Sequence, residues 1–124
     1  MAVHLVIDGY NLIGARGGHG GDIEAERDRL VESLVIYRSL RRAKVTVVFD
    51  GTHSGRLTGG SETRNGVRVL FSKGGQEADA VIKGLVGEGG GGLTVVTSDR
   101  DVALFAEARG AVAVSSSEFL SLLD

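Results

Sequence analysis

Four segments of this 124-residue chain bring acids to places where acids do chemistry. Leu5 to Asp8, Val45 to Asp50 and Leu93 to Asp99 are short apolar runs of the kind that form buried strands, and each finishes on a carboxylate. The fourth segment opens a helix with Glu77 and Asp79. In open α/β sheets, ligands bind beyond the carboxyl ends of the strands. Carboxylates gathered there repel one another unless a cation neutralises them. Oxygen ligands, with no cysteine and no histidine pair at ligand spacing, favour Mg²⁺ or Mn²⁺. Such an ion activates water and offsets charge on a phosphate, the chemistry of phosphodiester hydrolysis. The candidate ligands are Asp8, Asp79 and Asp99, with Asp101 in the next helical turn as a fourth; Asp50 and Glu77 are additional acids at the same edge. Asn11, in the loop after Asp8, is placed to orient Asp8 or a metal-bound water.

Each residue also has an ordinary explanation. Ser98-x-x-Asp101 reads as a helix start, and Glu77 and Asp79 fit the first turn of a helix by the same dipole argument. Asp50-Gly51 reads as a turn, and Asn11 as an Asx turn. Taken singly these explanations win. Taken together they do worse, because four independent segments deliver acids to one sheet edge.

The elements that must position them follow from periodicity. Strands are expected at Val3 to Ile7, Lys44 to Phe49, Val67 to Phe71, Leu93 to Thr97 and Ala111 to Val114. A glycine-rich loop is expected from the first strand to Gly21. Asp22 then caps a helix running to about Ala43. A polar link covers 51–66. Further helices are expected from about Gln76 through Leu85, from Asp99 to Ala108, and from the Ser115-x-x-Glu118 capping box onward. Strands alternating with helices imply an α/β fold with a mainly parallel, five-stranded sheet and helices on both faces. The length suits one domain over 1–124.

Composition removes several function classes. Without cysteine there are no disulfides, thiolate catalysis or zinc–cysteine sites. No basic leader and no run near the ~20 apolar residues of a membrane span is visible, so a cytoplasmic protein is expected. Neither dinucleotide-binding nor P-loop glycine spacing follows the first strand. The net charge is −2, and Arg outnumbers Lys by 11 to 3. Arg16, Arg56, Lys73 and Arg100 follow strands and are the candidate phosphate contacts. Arg38, Arg41, Arg42 and Lys44 look like an RNA patch, but they fall at the end of the long helix, at the far edge, where dipole compensation is the better explanation.

The segments Ile7 to Ile13, Val48-Phe49-Asp50, Glu77 to Ile82 and Val96 to Asp101 occur in the order seen in NYN domains. Nearly the whole chain resembles the YacP-like branch of the PIN-like nuclease superfamily. The resemblance implies a three-layer α/β/α PIN-like domain and a metal-dependent ribonuclease, cutting within the RNA chain. It carries metal-ligand roles to Asp8, Asp79 and Asp99, with Asn11 and Asp101 in support. The implied partner is RNA, with messenger and ribosome-associated RNA as the candidates. Two alternatives stand beside it. One is a non-catalytic RNA-binding or assembly module on the same fold. The other is a receiver-like phosphoacceptor domain with Asp50 as acceptor, although the first strand lacks an acidic pair and the fifth lacks a lysine. A phosphatase of the HAD kind is disfavoured because strand one has no Asp-x-Asp.

Overall fold

In a computed structural model, residues 3–18, 21–51, 59–74 and 77–123 are described. The strands are β1 (His4–Asp8), β2 (Lys44–Phe49), β3 (Gly60–Arg64), β4 (Val67–Phe71), β5 (Leu93–Val96) and β6 (Val112–Val114). The helices are α1 (Gly9–Ala15), α2 (Ile23–Arg41), α3 (Ala78–Gly89), α4 (Arg100–Ala108) and α5 (Ser116–Leu123), with a short 3₁₀ turn at Gly90–Gly92. The sheet order is β3-β4-β2-β1-β5-β6, and every pairing is parallel except β3 with β4.

Alternating strand residues feed two cores, as the period of two requires. Leu5, Ile7, Val45, Val47, Phe49, Val67 and Val69 meet α1, α2 and α5 on one face. Val6, Val48, Leu70 and Val95 meet Ala78, Ile82 and Val86 of α3 and Val102 and Ala106 of α4 on the other. The result is the expected three-layer α/β/α architecture. No helix among the described residues is long and apolar enough to cross a membrane.

Two expectations are corrected. The sheet has six strands, because the link expected to be irregular contains β3. An Asn65-Gly66 turn joins β3 to β4, with both residues at positive φ (46° and 90°). That is the geometry that gives two-residue hairpins their preference for Asn-Gly. The segment after β1 is a helix and not a loop. Tyr10, Leu12 and Ile13 are buried from it, and this burial outweighs the poor helix propensity of its glycines. Gly9 opens α1 because any side chain there would run into the Phe49 ring and the Val48 carbonyl.

Chain order along the sheet also locates the site. From β1 the parallel strands step outward through β2 to β4, then restart on the other side with β5 and β6. The direction reverses between β1 and β5, which is where such sheets bind ligands. A receiver domain has its third parallel strand beside the first. Here that strand, β4, lies beyond β2, so the phosphoacceptor alternative loses its fold.

Candidate active site

Asp8 is the last residue of β1, beside the chain reversal. A cleft of about 310 Å³ opens over it, lined by Asp8, Tyr10, Asn11, Asp50, Glu77, Ala78, Asp79 and Asp99. Five of the six acids singled out from sequence therefore surround one cavity. Three strand ends and one helix start deliver them. Among the described residues, however, no three are drawn together as a ready-made metal cage. The acids ring the cleft instead of converging on a point.

Asp8 is largely buried, and its carboxyl is pushed up to about 6 from an ordinary 3.8. Burial is the main cause, and the charges of Asp99 and Asp79 push the same way. Two groups oppose them. The Thr97 hydroxyl donates to Asp8 Oδ2 at 3.1 Å. The Asn11 backbone N–H also favours the ionised form, although it closes no regular helix cap.

Asp99 stands at the start of α4. Its Oδ1 accepts the backbone N–H groups of Asp101 (2.9 Å) and Val102 (3.4 Å), so its helix-capping role and its place in the cleft coexist. The cap sits at Asp99, one residue later than the Ser98-x-x-Asp101 reading. Glu77 occupies the cap position of α3 yet makes no side-chain cap bond. The capping explanation fails for it. Asp79 lies in the first turn of α3, half-buried and on the cleft wall.

Asp101 is set apart from the other acids. It is exposed, is not among the cleft-lining residues, and pairs with Lys83 Nζ at 2.6 Å. This arrangement does not gather it with the other candidate ligands. The physical reason is helical direction, since a residue two positions past the cap points toward α3 and not toward β1.

Asn11 is bound to neighbouring chain, not to Asp8 through its amide. Its Oδ1 accepts from Ser98 N–H at 2.9 Å and from Ser116 Oγ at 2.6 Å, and Ser98 Oγ accepts from Ser116 N–H at 3.2 Å. Ser116 is fully buried. This network locks α1, the β5–α4 loop and the start of α5 against one another. Residue patterning assigned Ser116 no role, because its neighbour Ser115 carries the capping box with Glu118. Tyr10 was also missed. Its hydroxyl accepts from Arg27 Nη1 at 3.0 Å, its ring lies 5.1 Å from that of Phe49, and it lines the cleft. Reading residues 9–15 as loop hid it.

The candidate phosphate contacts are scattered. Arg100 is exposed at the first position of α4, next in sequence to the cleft-lining Asp99, and lines a separate groove with Thr97, Ser98 and Ser115. Lys73 is exposed just after β4. Arg16 ends α1 and reaches Ser33 Oγ at 3.5 Å, away from the cleft. Arg56 lies outside the described residues.

Residues 5–124 match the family described as YacP-like NYN domain. Among solved structures, the chain is similar to Rae1 (YacP) from Bacillus subtilis. A crystal structure of a tryptophan-to-leucine mutant of that protein superposes with a TM-score of 0.81 at 30% identity, covering 98% of this chain and 74% of the other. A second Rae1 (YacP) structure gives a TM-score of 0.75 at 30% identity, covering 99% and 74%. No curated protein matches the sequence.

Proposed function

This chain belongs to the YacP-like NYN domain family, a nuclease-type hydrolase domain, and on that premise we propose that it is a metal-dependent ribonuclease cutting within RNA chains. The observation that carries the reading is the cleft at the chain reversal, where the buried Asp8 carboxyl feels the charges of Asp79 and Asp99. A non-catalytic phosphate binder would be hindered by carboxylates at that place.

The donor set fits Mg²⁺ or Mn²⁺. All candidate ligands are oxygens, and Mg²⁺ commonly takes only one or two carboxylates while keeping several waters. A ring of separated acids suits that habit better than a closed cage would. Asp8, Asp79 and Asp99 would hold the ion, with Asp50 and Glu77 as additional acids on the wall. When bound, it would lower the pKa of an attacking water and offset charge on the phosphate.

The chain's own residues do the rest. Thr97 fixes the Asp8 carboxylate through Oδ2. The α4 N–H groups fix Asp99 through Oδ1. Asn11 acts as a positioning residue, holding the Ser98 backbone and thus the loop that carries Asp99. Arg100 and Lys73 would receive RNA phosphates flanking the cut.

The test is cleavage of a panel of linear RNAs and one circular RNA in Mg²⁺, Mn²⁺ or EDTA, by wild type and Asp8→Asn. Opening of the circle in Mg²⁺ or Mn²⁺, with none in EDTA, is expected. Asp8→Asn should lose at least about a hundredfold in rate, ~3 kcal/mol of barrier. Full activity in EDTA, or in Asp8→Asn, rules the reading out; cutting of linear RNA alone would rule out the internal mode.

A further inference from the structure

The opposite edge of the sheet carries a second charged feature that the cleft does not use. α2 ends there with Arg38 and Arg41 in its last turn and Arg42 as its cap, and β2 begins with Lys44. Arg68 lies one strand over, in register with Thr46. Arg38, Ser39, Arg42, Ala43, Lys44 and Gly66 line a groove of about 590 Å³. Gly66 has φ +90°, and the Arg38 guanidinium lies over it, at the hairpin tip.

Dipole compensation explains Arg38 and Arg41. It does not explain Lys44 on β2 or Arg68 on β4. Two cations elsewhere are held by carboxylates: Arg64 by Asp28 at 2.7 Å and Glu62 at 3.3 Å, and Lys83 by Asp101 at 2.6 Å. Among the described residues, no carboxylate pairs with Arg38, Arg41, Arg42, Lys44 or Arg68. His4 senses the same field. Its pKa is lowered by burial and then by Lys44 and Arg68, with no acid acting the other way. In a chain of net charge −2, five cations without a carboxylate partner on one rim, one of them (Arg41) stacked over Tyr37, are a concentrated positive surface.

We infer that this rim is a second RNA contact, which receives the phosphodiester backbone of substrate lying outside the cleft. Four of the five cations are arginines, whose forks match phosphate oxygens. Their spread over a helix end and two strands suits a row of phosphates better than a single anion. The two edges stand about one strand length apart, ~20 Å. An RNA of a few nucleotides seated in the cleft stops short of the rim, and a longer one reaches both. The contact would be to backbone, so it adds affinity without sequence preference. This inference rests on the reading that the chain acts on RNA.

The experiment measures fluorescence anisotropy of labelled RNAs of about five and about thirty nucleotides in EDTA, across salt. Wild type is compared with Arg42→Gln/Lys44→Gln/Arg68→Gln and with the charge-keeping Arg42→Lys/Arg68→Lys. The neutralised variant should bind the long RNA at least about tenfold more weakly at ~100 mM salt, with a salt slope shallower by about 2 for three lost phosphate contacts. The short RNA, which offers the rim few phosphates and meets bare carboxylates in the metal-free cleft, should bind wild type at least about tenfold more weakly than the long one, and the lysine variant should keep the wild-type salt slope for the long RNA. Wild-type affinity and slope in the neutralised variant would overturn the inference. So would a lysine variant as weak as the neutralised one, which would mark a structural effect. Binding to phosphatidylserine vesicles that the neutralisation abolishes, with long-RNA binding untouched, would assign the rim to a membrane surface instead. Loss of cleavage alone, with this binding pattern intact, would count against the nuclease reading and not against the rim.

Discussion

Thr97 donates its hydroxyl proton to Asp8 across the boundary between β5 and β1, at 3.1 Å, while its oxygen accepts the Asp99 backbone N–H at 3.0 Å. One buried side chain thus ties two acids of the cleft, contributed by neighbouring strands, into fixed relative positions. Asn11 repeats the device one layer out, holding Ser98 and Ser116 through a single carbonyl oxygen.

Thr97→Val keeps the shape of this side chain and removes both bonds. The variant should lose about 1–3 kcal/mol of stability, because two polar partners are left without it in a site that is 2% exposed. The Asp8 carboxyl should also move further up, since the Thr97 bond is the larger of the two that pull it down. Titration of the Asp8 carboxyl carbon by NMR checks this, and Thr97→Ser should restore the wild-type curve. An unchanged Asp8 titration in Thr97→Val would make the bond incidental.

The pH dependence of stability has a definite sign. Asp8 titrates at about 6 in the fold against 3.8 ordinarily, so the folded state holds that proton more firmly than the unfolded chain. Its stabilising contribution is present below about pH 4 and is lost as pH rises through 6, a change of roughly 3 kcal/mol. In EDTA, urea unfolding of wild type and Asp8→Asn should therefore agree near pH 4. Asp8→Asn should gain steadily over wild type up to pH 7. Saturating Mg²⁺ at pH 7 should return wild type toward its variant, because a ligand bound only to the native state stabilises it. A difference that stays flat with pH would contradict the buried, charge-crowded placement of Asp8.

How much of this was legible in the sequence depended on how local each signal was. The common cleft of Asp8, Asp50, Glu77, Asp79 and Asp99 was legible because each follows or opens an element with a strong pattern of its own, and an α/β sheet collects such ends. Asp22 and Ser115 were readable as caps for the same reason. The pairing of Asp101 with Lys83 was not legible, because spacing from Asp99 does not reveal the side of α4 on which a residue points, and the pair is a contact between helices. β3 was missed although Asn65-Gly66 marks its turn, because Gly60–Arg64 is polar and mostly solvent-facing at the sheet edge. Ser116 was not assigned to the site because its partner Asn11 lies 105 residues away. Arg38, Arg41, Arg42 and Lys44 looked like helix-end compensation until the register set Arg68 beside β2.

Asp99 has two roles in the same carboxylate, and substitution can separate them. Oδ1 caps α4, and the charge raises the pKa of Asp8 from across the cleft. Asparagine caps about as well as aspartate, whereas alanine costs ~1 kcal/mol at such a position. In EDTA, Asp99→Asn should melt at or above wild type, since it keeps the cap and removes a repulsive charge, and Asp99→Ala should melt below it. Added Mg²⁺ should raise the wild-type midpoint more than that of either variant. Both variants should lose RNA cleavage alike, because both remove the charge. Asp101→Asn breaks only the Lys83 pair and should cut RNA at close to the wild-type rate. If Asp99→Asn stays active and only Asp99→Ala is impaired, Asp99 is a helix cap and nothing more. If Asp101→Asn is as inactive as Asp99→Asn, the acids that matter extend past the cleft wall, and the Lys83 pairing must open when RNA binds.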